Sequence, residues 1–263
     1  MKKTTILDGF KLNGKVAIVT GASTGLGKGM ALGLAQAGCD IVGVDYVAMT
    51  ETDEEVKALG REFFGILSDL IHTSVEDLDY LVKQAAAHFG HVDILINNAG
   101  IIRREDSVDF SEKAWDDVIA INLKNAFFLA QACGRQFIKQ INAGRPGGKI
   151  VSTCSMLSYQ GGIRVPSYTA AKSGLKGITM TLANEWAHYG INVNAIAPGY
   201  MATNNTKALR DDETRAGQIL ERIPAGRWGT PEDVAGAAVF LCSKNADYIN
   251  GFCLAIDGGW LAR

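Results

Sequence analysis

Lys15-Val-Ala-Ile-Val-Thr20-Gly-Ala-Ser-Thr-Gly-Leu-Gly27 begins as a short, β-branched, nearly continuous apolar run and passes straight into a glycine-rich turn. Such a run reads as a strand buried on both faces of a parallel sheet. A helical pattern follows through Ala37, Gly38 stops it, and Asp40-Ile-Val-Gly-Val44 reads as a second strand. The punctuation recurs: Leu59-Gly60 precedes Phe63-Phe-Gly-Ile-Leu67, Phe89-Gly90 precedes Val92-Asp-Ile-Leu-Ile-Asn97, and Tyr189-Gly190 precedes Asn192-Val-Asn-Ala-Ile-Ala197. A glycine just past a helix end is the usual stop signal. Strands alternating with helices predict right-handed βαβ units in a doubly wound parallel sheet, an α/β fold.

The chain has 263 residues, 47% of them hydrophobic, enough for one large core. No linker, repeat or low-complexity segment divides it, so residues 1–263 read as one domain. Ser74 before Val-Glu-Asp77 and Thr230 before Pro-Glu-Asp233 mark helix starts. Between Tyr200 and Pro224 the rhythm breaks into polar sequence with short helical fragments. An insertion at about 200–224 sits late in the chain, where a segment covering a substrate would lie.

A net charge of −2 gives no electrostatic footprint for nucleic acid. The five cysteines (Cys39, Cys133, Cys154, Cys242, Cys253) are odd in number and contain no Cys-x-x-Cys, which points to a reduced, cytoplasmic protein. The basic start Met1-Lys-Lys-Thr-Thr-Ile-Leu-Asp8 has no apolar segment behind it, so no secretory signal is expected. No apolar run approaches the roughly 20 residues that span a bilayer, so no membrane partner is expected.

Chemistry concentrates at Ser155-Met-Leu-Ser-Tyr-Gln-Gly-Gly-Ile-Arg-Val-Pro-Ser-Tyr168-Thr-Ala-Ala-Lys172. On a helix, Tyr168 and Lys172 share a face. A nearby ammonium favours the phenolate, so the Tyr168 pKa is expected to fall from about 10. A phenol tuned in this way can exchange a proton with a substrate hydroxyl. Ser155, just past the apolar run Gly148-Lys-Ile-Val-Ser-Thr153, can hydrogen-bond the same oxygen. The Tyr-x-x-x-Lys spacing alone also fits a solvated helix face, and the rest of the chain decides between the two.

Gly21, Gly25 and Gly27 lie between the first strand and its helix, where backbone can approach a pyrophosphate and the helix N-terminus offers N–H donors. Asp45 closes the second strand, where a carboxylate can accept from a ribose diol and repel a 2′-phosphate. With no Arg or Lys between Gly21 and Leu26, the expected cofactor is NAD. Asp69, after the third strand, reads either as an adenine contact or as a turn residue. His88-x-x-His91 spans a helix end and a turn, and no metal site is expected from it. Cys154 reads as a small buried residue.

Taken together, Thr20-Gly-x-x-x-Gly-x-Gly27, Asn97-Asn-Ala-Gly100, Asn122, Ser155, Tyr168-x-x-x-Lys172 and Pro198-Gly-x-x-x-Thr203 resemble, in order, the motifs of the short-chain dehydrogenase/reductase family. The resemblance covers nearly the whole chain. It implies a single Rossmann-type domain with Tyr168 as acid/base and Ser155 polarising the substrate oxygen. It implies that Lys172 lowers the Tyr168 pKa and holds the nicotinamide ribose, and that Asn122 holds a water in a proton relay. The cofactor residues it implies are Gly21, Ser23, Thr24, Gly25, Leu26, Gly27, Asp45, Asp69, Leu70, Asn97, Ala99, Gly100, Tyr168, Lys172, Pro198, Gly199, Met201 and Thr203.

Further segments, among them Ile102-Arg-Arg-Glu105, Gln160-Gly-Gly-Ile-Arg-Val-Pro-Ser-Tyr168 and Asp257-Gly-Gly-Trp-Leu-Ala-Arg263, resemble a branch of the family. That branch oxidises keto-deoxy sugar acids in the breakdown of pectin-derived uronates. The resemblance also implies a homotetramer. The apolar helix around Ala126-Phe-Phe-Leu-Ala-Gln-Ala-Cys133 and the apolar strand Phe252-Cys-Leu-Ala-Ile256 are candidate contacts, or are buried within one subunit. Arg103, Arg104 and Arg164 are candidate grips for a substrate carboxylate, with Arg164 first because it lies four residues before Tyr168; each can equally be solvated or paired with Glu105 or Asp106. Two other readings are an NADPH-dependent 3-oxoacyl thioester reductase, which Asp45 and the arginines oppose, and a non-catalytic cofactor sensor. A sensor has no need of an intact Ser155–Tyr168–Lys172 set.

Overall fold

The computed structural model describes residues 5–263; the basic start Met1-Lys2-Lys3-Thr4 lies outside them. The elements run β1 (Val16–Thr20), α1 (Gly25–Gln36), β2 (Asp40–Asp45), α2 (Thr50–Ala58), β3 (Phe63–Leu67), α3 (Val75–Phe89), β4 (Ile94–Asn97), α4 (Glu112–Ile119), α5 (Asn125–Asn142), β5 (Lys149–Thr153), α6 (Pro166–Trp186), β6 (Asn192–Pro198), α7 (Lys207–Asp211), α8 (Glu213–Arg222), α9 (Pro231–Cys242) and β7 (Cys253–Ile256). The seven strands form one parallel sheet in the order β3-β2-β1-β4-β5-β6-β7. The doubly wound α/β architecture is the one expected from the sequence. Gly38, Gly60, Gly90 and Gly190 all stop their helices at positive φ (109°, 74°, 80° and 74°), where a side chain would strain the backbone.

Alternation along β1 divides the core. Val16 and Ile18 face Leu78 and Leu81 of α3, Leu129 and Phe137 of α5, and Leu182 of α6. Ala17 and Val19 face Met30 and Leu34 of α1, Val56 of α2, and Val234 and Leu241 of α9. Helices α1 and α9 touch almost backbone to backbone: a Cβ on Gly33 would lie 2.9 Å from that of Ala235. Ser74 caps α3 by accepting from Asp77 N at 3.1 Å, and Pro231 opens α9 after Thr230, whose N–H donates to Asp233 Oδ2 at 2.8 Å.

Two sequence expectations need adjustment. Strand β4 starts at Ile94 and not at Val92, because both backbone groups of Val92 bond the Gln140 side chain of α5, at 3.0 and 2.7 Å. The edge strand β7 is not covered on both faces: Cys253 is buried, Leu254 and Ile256 are half-buried, and the preceding Phe252 is 54% exposed.

Chain order reverses at the centre of the sheet, where β1 lies between β2 and β4. Loops leaving the carboxyl ends of β1 and β4 part in opposite directions and open a crevice there. The Gln140 clamp should matter to the fold and not to this crevice. Gln140→Leu leaves a buried N–H and C=O unpaired and should cost about 2–3 kcal/mol. The expected result is a lower urea midpoint with an unchanged slope and unchanged cofactor affinity.

Candidate active site

A cleft of about 1180 Å³ lies along the carboxyl ends of the central strands. One end is built from the turn after β1 and the ends of β2 and β3. The other is built from the loops after β4 and β5, the start of α6, and α8.

Pro166 starts α6, so Tyr168 falls in its first turn and Lys172 one turn deeper. Ser155 ends the extended stretch after β5 and is 8% exposed. Its Oγ accepts from Leu157 N at 3.1 Å, while Ser158 Oγ donates to Lys172 O at 2.7 Å, tying the Ser155 turn to α6. Lys172 is 3% exposed and donates from Nζ to Thr153 O at 2.6 Å. Burial lowers its pKa to about 8. Burial pushes the Tyr168 phenol up to about 12, against the smaller opposing pulls of the Ser155 hydroxyl and the Arg104 charge. The expected fall is therefore not seen. The Lys172 ammonium is anchored to a carbonyl, 5.5 Å from the Tyr168 ring centre, and desolvation of the phenolate outweighs it.

Asn122 lies in a π-type widening at 120–124, before α5. Its amide donates to Ile101 O and Val118 O at 2.9 and 3.0 Å, and its buried Oδ1 has no hydrogen-bond partner among the described residues. That oxygen aims at Gly100, where a Cβ would collide with it and would lie 3.5 Å from Lys172 Nζ. An acceptor and a donor thus face one small space, which suits a bridging polar molecule.

At the opposite end, Gly21, Ser23, Thr24, Gly25 and Leu26 line the cleft where α1 begins. Thr24 caps α1 without a side-chain bond, so the first-turn N–H groups face the cleft. Asp45 is 7% exposed and accepts from Ser23 N at 3.0 Å and Tyr46 N at 2.8 Å. Asp69 and Leu70 line the wall beside it. Asp69 also holds its own turn, bonding Ile71 N and His72 Nδ1, and the His72 bond followed by the Ile71 bond lowers its pKa. An uncapped helix start, glycines at its approach and a carboxylate at the end of β2 together fit a dinucleotide.

Ala99, Gly100, Gly199 and Thr203 line the cleft as expected, but four of the expected cofactor residues do not. Asn97 is the last residue of β4 and turns inward to donate to Ala126 O at 2.6 Å; its neighbour Asn98 faces the cleft. Gly27 lies behind the turn, against the Gly21 carbonyl oxygen. Pro198 is buried in β6 opposite Ile256, and Met201 is 4% exposed in a bridge to Gly229.

All three candidate arginines line the cleft, in different states. Arg164 Nε meets Asp106 Oδ1 at 3.0 Å, at the exposed rim, and Arg103 Nη2 lies 3.9 Å from Asp117 Oδ2. Arg104 has no ion pair or side-chain hydrogen bond among the described residues, and its charge is felt at the Tyr168 phenol. The sequence reading missed Asn98, Gln160, Trp260, and Arg215 and Arg222 of α8, all of which line the cleft. The 215, 218, 219, 222 spacing of cleft-facing residues was a readable helical signal. His88 and His91 have separate partners, Glu62 and Asp93, and Cys154 is buried.

A family model described as Enoyl-(Acyl carrier protein) reductase matches residues 21–261. The chain is 61% identical over 258 residues to the 2-dehydro-3-deoxy-D-gluconate 5-dehydrogenase of Escherichia coli (strain K12), covering 98% of this chain and 100% of that one. A solved structure of a candidate 2-deoxy-D-gluconate 3-dehydrogenase from Agrobacterium tumefaciens, with bound NADP, is 53% identical with a TM-score of 0.87, covering 97% and 100% of the two chains. A gluconate 5-dehydrogenase from Burkholderia cenocepacia, in complex with NADP and tartrate, is 34% identical with a TM-score of 0.91, covering 98% and 100%.

Gly27→Ala should expel the Gly21 carbonyl from its place and distort the turn. Cofactor affinity, read by nicotinamide fluorescence, should fall at least tenfold, on the order of 1.4 kcal/mol or more. Retention of affinity within twofold would show that the turn yields to a methyl group.

Proposed function

The chain belongs to the short-chain dehydrogenase/reductase family, and on that premise we propose that it interconverts 2-dehydro-3-deoxy-D-gluconate and 3-deoxy-D-glycero-2,5-hexodiulosonate with NAD, in the breakdown of pectin-derived uronates. The observation that carries the reading is the charge division of the cleft. Its lining carboxylates, Asp45 and Asp69, lie at the dinucleotide end, and five arginines line the end that holds Ser155 and Tyr168. An acidic substrate suits such an end, whereas an acyl thioester needs apolar walls. The names of the similar enzymes support the same substrate class.

In this reading Tyr168 takes the proton of the reacting hydroxyl during oxidation and Ser155 holds the same oxygen. Lys172 would hold the nicotinamide ribose, and Asn122 Oδ1 would hold a water in the space at Gly100 through which the proton passes onward. The nicotinamide, when bound, supplies the hydride acceptor. Arg104 replaces Arg164 as the first choice for the substrate carboxylate, because Arg164 already faces Asp106. The segment 200–224, carrying α7 and α8, covers the substrate end of the single domain.

NAD in preference to NADP rests on Asp45, whose carboxylate would oppose a 2′-phosphate; the NADP in the two solved relatives makes this the point to measure. A homotetramer is supported by exposed apolar side chains near β7: Phe252, Tyr248 and Met180 of α6. A cytoplasmic location is supported by five cysteines that are all free and buried, and no helix of the described residues is long and apolar enough to cross a membrane.

Purified protein should be assayed with the sugar acid and with acyl thioesters, each with both dinucleotides. The highest kcat/KM is expected for the sugar acid with NAD; comparable efficiency with NADP would sink the cofactor choice, and turnover of thioesters alone would sink the substrate.

The direction of proton flow also fixes a pH signature. Oxidation needs the phenolate, which becomes scarcer below the raised Tyr168 pKa of about 12. Reduction needs the neutral phenol, which is abundant there. Sugar-acid oxidation should therefore accelerate from neutral to alkaline pH while the reverse reaction does not. Tyr168→Phe should remove nearly all turnover in both directions and leave cofactor binding close to normal. A variant retaining a tenth or more of wild-type kcat, roughly 1.4 kcal/mol or less of lost stabilisation, would reject Tyr168 as the acid/base.

A further inference from the structure

We propose that Arg222 is a specificity-determining residue that clamps the acid end of the substrate from the α8 side of the cleft, and that Trp260 sets the plane of its guanidinium. This rests on the acidic-substrate reading above. Helix α8 turns Arg215, Gln218, Ile219 and Arg222 toward the cleft. Ile219, 2% exposed, packs with Met156, Ile223 and Trp260 and fixes which face looks inward.

Trp260 is itself held firmly. It is 5% exposed, and its Nε1 donates to Gln160 Oε1 at 3.2 Å. The Tyr200 ring meets it edge-on at 4.8 Å between centres. Asp257 accepts from Gly259 N and Leu261 N on either side of it, each at 2.9 Å. The Arg222 guanidinium carbon lies 4.0 Å from the indole ring.

Stacking occupies a face of a guanidinium and leaves its in-plane N–H donors free, with less entropy to lose when they bond. Arg222 has no side-chain hydrogen bond or ion pair among the described residues. The other arginines on this end differ: Arg103 and Arg164 meet Asp117 and Asp106, and Arg215 Nη1 donates to Gln218 Oε1 at 3.1 Å. Arg104 alone shares the free state of Arg222, and it reaches the cleft from the loop after β4. Two planar donor forks from separate walls match the acid end of a 2-oxo acid, where carboxylate and keto oxygens lie side by side. Arg222 does not touch the reacting carbon, so its contribution should appear in KM more than in kcat.

The experiment compares wild type, Arg222→Gln, Arg222→Lys, Trp260→Phe and Trp260→Leu. Each holoenzyme is assayed by steady-state kinetics and calorimetric binding, with 2-dehydro-3-deoxy-D-gluconate and with its neutral amide. Arg222→Gln should raise KM for the acid roughly 10- to 100-fold with little change for the amide. Arg222→Lys should not rescue, because the stacked fork is lost. Trp260→Leu, with its guanidinium intact, should mimic part of the loss, and Trp260→Phe should recover most of it. An acid KM unchanged in Arg222→Gln, or equal losses on acid and amide, would overturn the inference and leave the sugar-acid reading standing. A wild type that neither binds nor turns over the acid would overturn that reading and this inference with it. Arg222 is exposed, so its variants should fold whatever becomes of Trp260→Leu.

Discussion

The hydroxyl of Thr20 joins the two strands that the crevice separates. Wholly buried at the end of β1, it accepts from Asn98 N and Ala99 N at 2.9 Å each, while its carbonyl accepts from Asn98 Nδ2 at 3.0 Å. These bonds continue the β1–β4 pairing one step past the ladder, so the loops diverge from a fixed point. The glycine turn then leads to the start of α1 on one side. On the other, Asn98-Ala-Gly100 brings the chain past Asn122 and Lys172. Without that buried set, the glycine-turn end of the cleft and the end that holds Ser155 and Tyr168 would have no common reference.

Electrostatics in this cleft follow from burial more than from pairing. Lys172 and Tyr168 are both driven toward their neutral forms, the lysine to about 8 and the phenol to about 12. Neither group is prepared for chemistry by the other alone. For the phenol the counterweights are the Ser155 hydroxyl and then the Arg104 charge. The Arg104 charge therefore does two things: it makes that end of the cleft attractive to an acid, and it favours the phenolate form of Tyr168.

The strand and helix rhythm was legible because each signal is local. A β-branched run, a glycine past a helix and a cap before a proline act within a few residues, and the fold merely agrees with them. The Ser155, Tyr168 and Lys172 set was legible for a similar reason, since one loop and one helical turn assemble it. What could not be read was decided by groups remote in sequence. Asn97 and Asn98 are chemically alike, and only the pleat of β4 sends the first to Ala126 and the second to the cleft. Arg164 could read as the carboxylate grip or as a partner of Asp106, and only the fold, which brings the two together, decides for the ion pair. The Tyr168 pKa depends on how deeply the ring is packed, which residue spacing does not encode. Trp260 acquires a role only because β7 ends beside α8.

The near-contact of α1 and α9 carries a further meaning. With glycines at 29 and 33 against Pro231 and Ala235, no layer of side chains cushions the two helices. The segment 200–224 hangs between β6 and α9, so its far mooring is a helix bolted to α1. Helix α1 is also the one whose first turn looks into the dinucleotide end. The segment 200–224 and the glycine turn before α1 therefore share a single foundation, and a change that loosened it would unsettle both ends of the cleft at once, though it touched neither.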